Sequence, residues 1–129
     1  MTSGQPVRLG PLEQQVMDVL WDRGPSSIRD IIASLPTTPA YTTIATVLQN
    51  LERKNLVGAH RRRRLVQYHA RHDRDVHAAN LMSQALASSR DHGASILHFV
   101  DRISAEDADL LRDYLQRTDP NADDTDTSS

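Results

Sequence analysis

Cysteine is absent from the 129-residue chain. Disulfides, thiolate nucleophiles and cysteine-built zinc or copper sites are therefore excluded. Only five glycines occur, and none of them forms a phosphate-cradling loop. Neither HExxH nor a Ser/His/Asp arrangement in a familiar setting is present. The chain is therefore expected not to be an enzyme, and to need no cofactor. No apolar run approaches the ~20 residues that span a bilayer. The opening "MTSGQPVRLG" lacks the apolar core of a secretory signal, so a cytoplasmic protein without membrane insertion is expected. Lysine is nearly absent too: Lys54 stands alone among 15 basic residues, the rest being arginine.

What is present is unevenly distributed. Residues 1–75 carry 11 basic and 7 acidic side chains, net +4, whereas residues 76–129 carry 4 and 10, net −6. Such a split suggests a part that faces a polyanion and a part with another task. The sharpest concentration is "HRRRRLVQYHARH" at residues 60–72, with four consecutive arginines. A G+C-rich genome would explain arginine in place of lysine, but not four in a row.

Periodicity orders the elements. "LGPLEQQVMDVLWDRGP" predicts a helix that starts at Pro11, buries Leu12, Val16, Val19 and Leu20, and stops at Gly24-Pro25. "SSIRDIIASLP" predicts a short second helix capped by Ser26 or Ser27, with Ile28, Ile31, Ile32 and Leu35 inward. A third helix is predicted over "YTTIATVLQNLERKNL", burying Ile44, Val47, Leu48 and Leu51. Its opposite side carries Thr42, Thr46, Gln49 and Arg53, flanked by Thr43 and Asn50, with Lys54 following. Short side chains that donate and accept hydrogen bonds suit base edges and phosphates, whereas an ordinary solvated face carries Glu and Lys. Threonine also lowers helix propensity, so three exposed threonines need a reason.

"LVGAHRRRRLVQYHAR" alternates as a hairpin, Val57 and Ala59 going out and Val66, Tyr68 and Ala70 returning. Arg61, Arg62, Arg63 and Arg64 form its tip. With no Gly or Asn to supply a primed turn, the tip is expected to be long and mobile. Three helices followed by a hairpin is the order of a winged helix-turn-helix. Three more helices follow: "DRDVHAANLMSQALASS", "ASILHFVDRI" and "SAEDADLLRDYLQRT", the last capped by Ser104. Their apolar positions include Val76, Ala79, Met82, Leu86, Leu97, Val100, Leu111 and Leu115. Those helices have little of their own to cover such stripes, so a second copy of the chain is expected there. The tail from residue 118 is acidic, has no apolar side chain larger than Ala122 and is expected to be disordered. The pair His69 and His72 beside Asp73 and Asp75 has metal-ligand residue types, but His69 falls on a strand and His72 beyond its end, so no metal is expected.

The segments "LGPLEQQVMDVLW", "YTTIATVLQNLERKNLV" and "RLVQYHAR" resemble the penicillinase repressor family (BlaI/MecI type) over residues 8–117. The resemblance implies a mainly α fold, with a winged-helix domain at 1–74, a helical dimerisation region at 75–117 and the tail beyond. It implies a homodimeric repressor on an inverted-repeat, double-stranded operator, with Thr42, Thr43, Thr46 and Asn50 facing the groove. Arg53, Lys54 and the arginine tip would hold the backbone. It further implies release by proteolysis, triggered by a membrane metalloprotease sensor of the BlaR type that detects β-lactams. Where some members are cut between Asn and Phe, this chain has His98-Phe99. The family's wing usually contains glycine, and here the tip is all arginine. The alternative to DNA binding is a winged-helix adaptor for another protein.

Overall fold

The computed structural model describes residues 8–118. Six helices and one hairpin follow in the order α1 (Pro11–Arg23), α2 (Ile28–Ser34), α3 (Tyr41–Arg53), β1 (Val57–Arg62), β2 (Leu65–Ala70), α4 (Arg74–Ala87), α5 (His92–Arg102) and α6 (Ala105–Thr118). The chain divides into two compact units between Ala85 and Leu86. A boundary at residue 74 marks the end of the hairpin, whereas packing carries most of α4 with the first unit. The expected disordered tail lies outside the described residues from 119 onward.

In the first unit, α1, α2 and α3 enclose Val16, Met17, Leu20, Ile31, Ile44, Leu48 and Leu51, joined by Leu56 and Val57 at the base of the hairpin. Each fully buried aliphatic side chain contributes roughly 1.5–3 kcal/mol, and the spacing on α3 is the i, i+3, i+4, i+7 stripe that the sequence predicts. Helix α1 opens on Pro11, and the Gly10 amide donates to Glu13 Oε1 at 2.9 Å. Glycine has no side chain, so only this half of a capping box forms. At α2 the box is complete: Asp30 N donates to Ser27 Oγ, and Ser27 N donates to Asp30 Oδ2. Ser26 is not the cap. It is fully buried, and its backbone exchanges two bonds with Tyr68, 2.9 and 2.8 Å long. That bridge adds a one-residue third strand to the hairpin and ties the start of α2 to the wing.

Helix α3 stops at Arg53 and not at Leu56. Asn55 takes a left-handed φ of 62°, its amide donates to Glu52 O, and Leu56 N donates to Leu51 O. This is a Schellman motif with Asn in the place that glycine usually holds, closed by the buried pair Leu51 and Leu56. The hairpin corrects a second expectation. Arg62 pairs with Leu65, so the tip is a two-residue turn of Arg63 and Arg64 and not a long loop. Arg63 itself adopts the positive φ, 58°, that right-twisted strands demand of the first turn residue. A non-glycine residue there costs on the order of 1 kcal/mol. Lower in the hairpin, Gly58 faces His69, and a Cβ on residue 58 would lie 2.7 Å from the imidazole. A side chain at that position would make the His69 ring move aside.

Helix α4 is seated on α1 by its first turn. Trp21 Nε1 donates to the His72 carbonyl at 2.8 Å, Arg74 stacks over the indole at 5.0 Å, and its guanidinium reaches Asp18 and Asp22. His77 is buried against Trp21, ring centroids 5.3 Å apart. His77, Asn80, Leu81 and Gln84 line a cavity of about 300 Å³ with Asn55 and Leu56. In the second unit, α5 is capped by Asp91 and α6 by Ser104. Neither helix buries a residue.

Candidate nucleic-acid interface

Burying Ile44, Val47, Leu48 and Leu51 turns the other side of α3 outward. Thr42, Thr43, Thr46 and Gln49 are all exposed there. Asn50 is half-buried, and its Oδ1 accepts from Arg53 Nη2 at 2.6 Å, leaving the amide NH2 to donate. Lys54 is differently placed. Its ammonium contacts Glu13 Oε1 at 3.0 Å and the Arg8 carbonyl at 2.9 Å, stapling the end of α3 to the start of α1. Burial alone would push the Glu13 carboxyl up. The Gly10 amide and Lys54 outweigh it and hold the group below its usual range.

The hairpin carries its charge at the far end. Arg61 shares a face with Val66 and Tyr68, Arg62 with Leu65, and Arg63 and Arg64 occupy the turn. All four are exposed, and among the described residues none of their side chains makes an ion pair or hydrogen bond. The tip adjoins α3. Tyr41, the first residue of that helix, lines one groove of about 240 Å³ together with Arg64, Tyr68 and Arg29 of α2. The first residue of α3 and the last arginine of the tip thus share one groove. Burial, with Glu52 adding to it, pushes the Tyr68 phenol up despite the nearby Arg61, so it stays a donor at neutral pH.

Two residues on that surface, Tyr41 and Arg29, carry no signal in the sequence. Tyr41 reads there only as the start of a helix, and Arg29 as one basic residue on a short one. Only the Ser26–Tyr68 bridge, across a wide sequence separation, brings Arg29 to the wing, and no local pattern announces it.

The apolar positions of the later helices point outward. On α4, Val76, Ala79 and Met82 are exposed, Met82 by 55%, and Leu86 is half-buried. On α5 and α6, Leu97 is 67% exposed, and Val100, Leu111 and Leu115 are open as well. His98 and Phe99 lie in the middle of α5, both exposed. No described helix is long and apolar enough to cross a membrane.

Comparison with known proteins bears on most of the chain. The transcriptional regulator BlaI of Mycobacterium tuberculosis, from strains CDC 1551 / Oshkosh and ATCC 25618 / H37Rv, is 46% identical over 114 residues, spanning 84% of this chain and 83% of its own. Among solved structures, Streptococcus pneumoniae FabT in complex with DNA matches at 20% identity and a TM-score of 0.46, over 91% of this chain and 78% of its own. A cysteine-to-serine mutant of Lactococcus lactis ZitR in complex with DNA matches at 13% identity and 0.48, over 88% and 75%. The profile of the penicillinase repressor family matches residues 9–117. With its winged helix-turn-helix and its likeness to a transcriptional regulator over most of its length, the chain belongs to the penicillinase repressor family.

Proposed function

We propose that this protein is a homodimeric transcriptional repressor that binds an inverted-repeat operator in double-stranded DNA. One observation supports the reading: α3 turns an uncharged, threonine-lined face to solvent, and the helix begins in the groove that Tyr41 lines together with Arg64 of the exposed arginine tip. Helix α3 enters the major groove, where Thr42, Thr43, Thr46, Gln49 and the amide of Asn50 meet base edges. Arg53 and Arg61 to Arg64 hold phosphates, which set affinity and register without reading sequence. Lys54, matched to Glu13, is assigned to holding α3 in place.

The dimer rests on the outward apolar side chains of α4, α5 and α6. A monomer rarely leaves so many in the open. A second copy covering them presents two recognition helices related by a two-fold axis, which reads a palindrome. Repression ends when the dimer is lost. Cleavage at His98-Phe99 by a membrane metalloprotease sensor of the BlaR type would do this. That bond sits inside α5, so α5 must first unwind locally to offer an extended strand.

The reading is tested by offering the full-length protein a random duplex pool at moderate salt. Enrichment of an inverted repeat bound at two protomers per site is expected. Retention of no duplex, or of every duplex equally, would leave a protein–protein adaptor as the better reading.

A further inference from the structure

The groove between α2, α3 and the wing has a feature that the recognition helix does not explain. Arg29 stands on the first turn of α2, exposed, and among the described residues its side chain has no ion-pair or hydrogen-bond partner. Its neighbouring carboxylate is already committed: Asp30 accepts from Ser27 N and pairs with Arg23 at 3.8 Å. Across the groove stands Arg64, equally unpaired, and the third wall is Tyr41, 54% exposed. The two cationic walls come from segments that the chain separates widely, and the Ser26–Tyr68 bridge, with bonds of 2.9 and 2.8 Å, fixes them relative to each other. Two guanidiniums line a groove of about 240 Å³ whose lining includes no carboxylate, a setting that favours an anion. Planar guanidinium forks match a phosphate better than a point charge does.

We infer that Arg29, Arg64 and the Tyr41 hydroxyl form a seat for one backbone phosphodiester of the bound DNA, beside the point where α3 enters the major groove. The inference rests on the DNA-binding reading and sharpens it, since it names a contact on α2 that fixes the protein's register along the duplex. Arg29 grips the backbone and reads no base, so its removal should weaken every sequence alike.

The test uses the full-length protein and the duplex that it selects from a random pool, carrying a single uncharged methylphosphonate linkage at each position in turn. For the unaltered protein, one linkage per half-site should weaken binding severalfold on neutralisation. For Arg29→Ala, the same linkage should cost clearly less than in the unaltered protein, the salt slope should become shallower by up to about 0.9 per protomer, and the ratio of selected to random duplex should stay unchanged. Arg29→Lys should restore the slope. The seat is overturned if Arg29→Ala binds with the unaltered slope, or if its effect adds to that of every neutral linkage. If Arg61 to Arg64→Ala still flattens the slope in that case, the repressor reading survives and only the seat is lost. If no duplex is selected at all, both fail.

Discussion

Thr46 combines two opposed effects. In an exposed helix position threonine is worth up to ~0.7 kcal/mol less than alanine, so Thr46→Ala should leave the fold as stable or slightly more so. On the proposed reading, the same change removes a hydroxyl and a methyl from the side of α3 that meets DNA. We expect the ratio of operator to random binding to fall by about 1 kcal/mol, roughly fivefold, with binding to random duplex little changed. Equal losses on both, in titrations at one salt concentration, would take base reading away from that position. The outward direction of Thr42, Thr43, Thr46 and Gln49 was legible in the sequence, because four buried aliphatics at helical spacing leave them only one side. The partner of Lys54 was not. Glu13 lies 41 residues away, and no periodicity encodes a pairing across that distance. Arg29 was hidden for the same reason: its neighbours are set by a backbone bridge and not by its own helix.

Among the elements, helices were read closely and turns less so. Apolar spacing predicts where a helix buries its side chains, but the end of α3 and the tip of the wing depend on which residue accepts a left-handed φ. Asn55 and Arg63 do so without being glycine, because a buried Leu51–Leu56 contact and the pairing of two strands oblige them. The seating of α4 is likewise a tertiary matter. His77, Asn80 and Gln84 line its cavity together with Leu81, while Val76 and Met82 stay exposed, so apolar side chains of α4 are left over beyond those that pack on the first unit. His77 has a consequence for pH. Burial, and then His72, hold its imidazole below the ordinary value of 6.5, and its Nε2 has no hydrogen-bond partner. Against it lie Trp21 of α1 and His72 on the preceding turn, and Lys54 lines the same cavity. The unfolded chain therefore binds this proton more readily than the folded one. Stability should fall as pH drops from about 6.5 through the lowered folded value, and level off below it. In thermal melts between pH 7.5 and pH 5, His77→Phe should lose less than the unaltered protein. Equal losses would mean that His77 is not the group responsible.

Along the whole chain, net charge is split between the two halves. The basic half holds the arginine tip, and the acidic half leaves Leu97, Leu110, Leu111 and Leu115 uncovered. Leu111→Asp with Leu115→Asp should give monomers in sedimentation and most of the operator affinity should go with the dimer, because the second half-site is held at high effective concentration only while the two copies are joined. Dimers that persist would mean those side chains close on their own protomer. The surface formed by α3 and the wing is tested most directly by the salt dependence of binding. Measured on the selected duplex, log affinity against log salt should be steep for the unaltered protein. With Arg61 to Arg64→Ala it should be shallower by about 1.8 or more, at about 0.9 for each phosphate given up by each of two wings. A slope that does not move when the four arginines are removed would contradict the claim that the wing grips DNA.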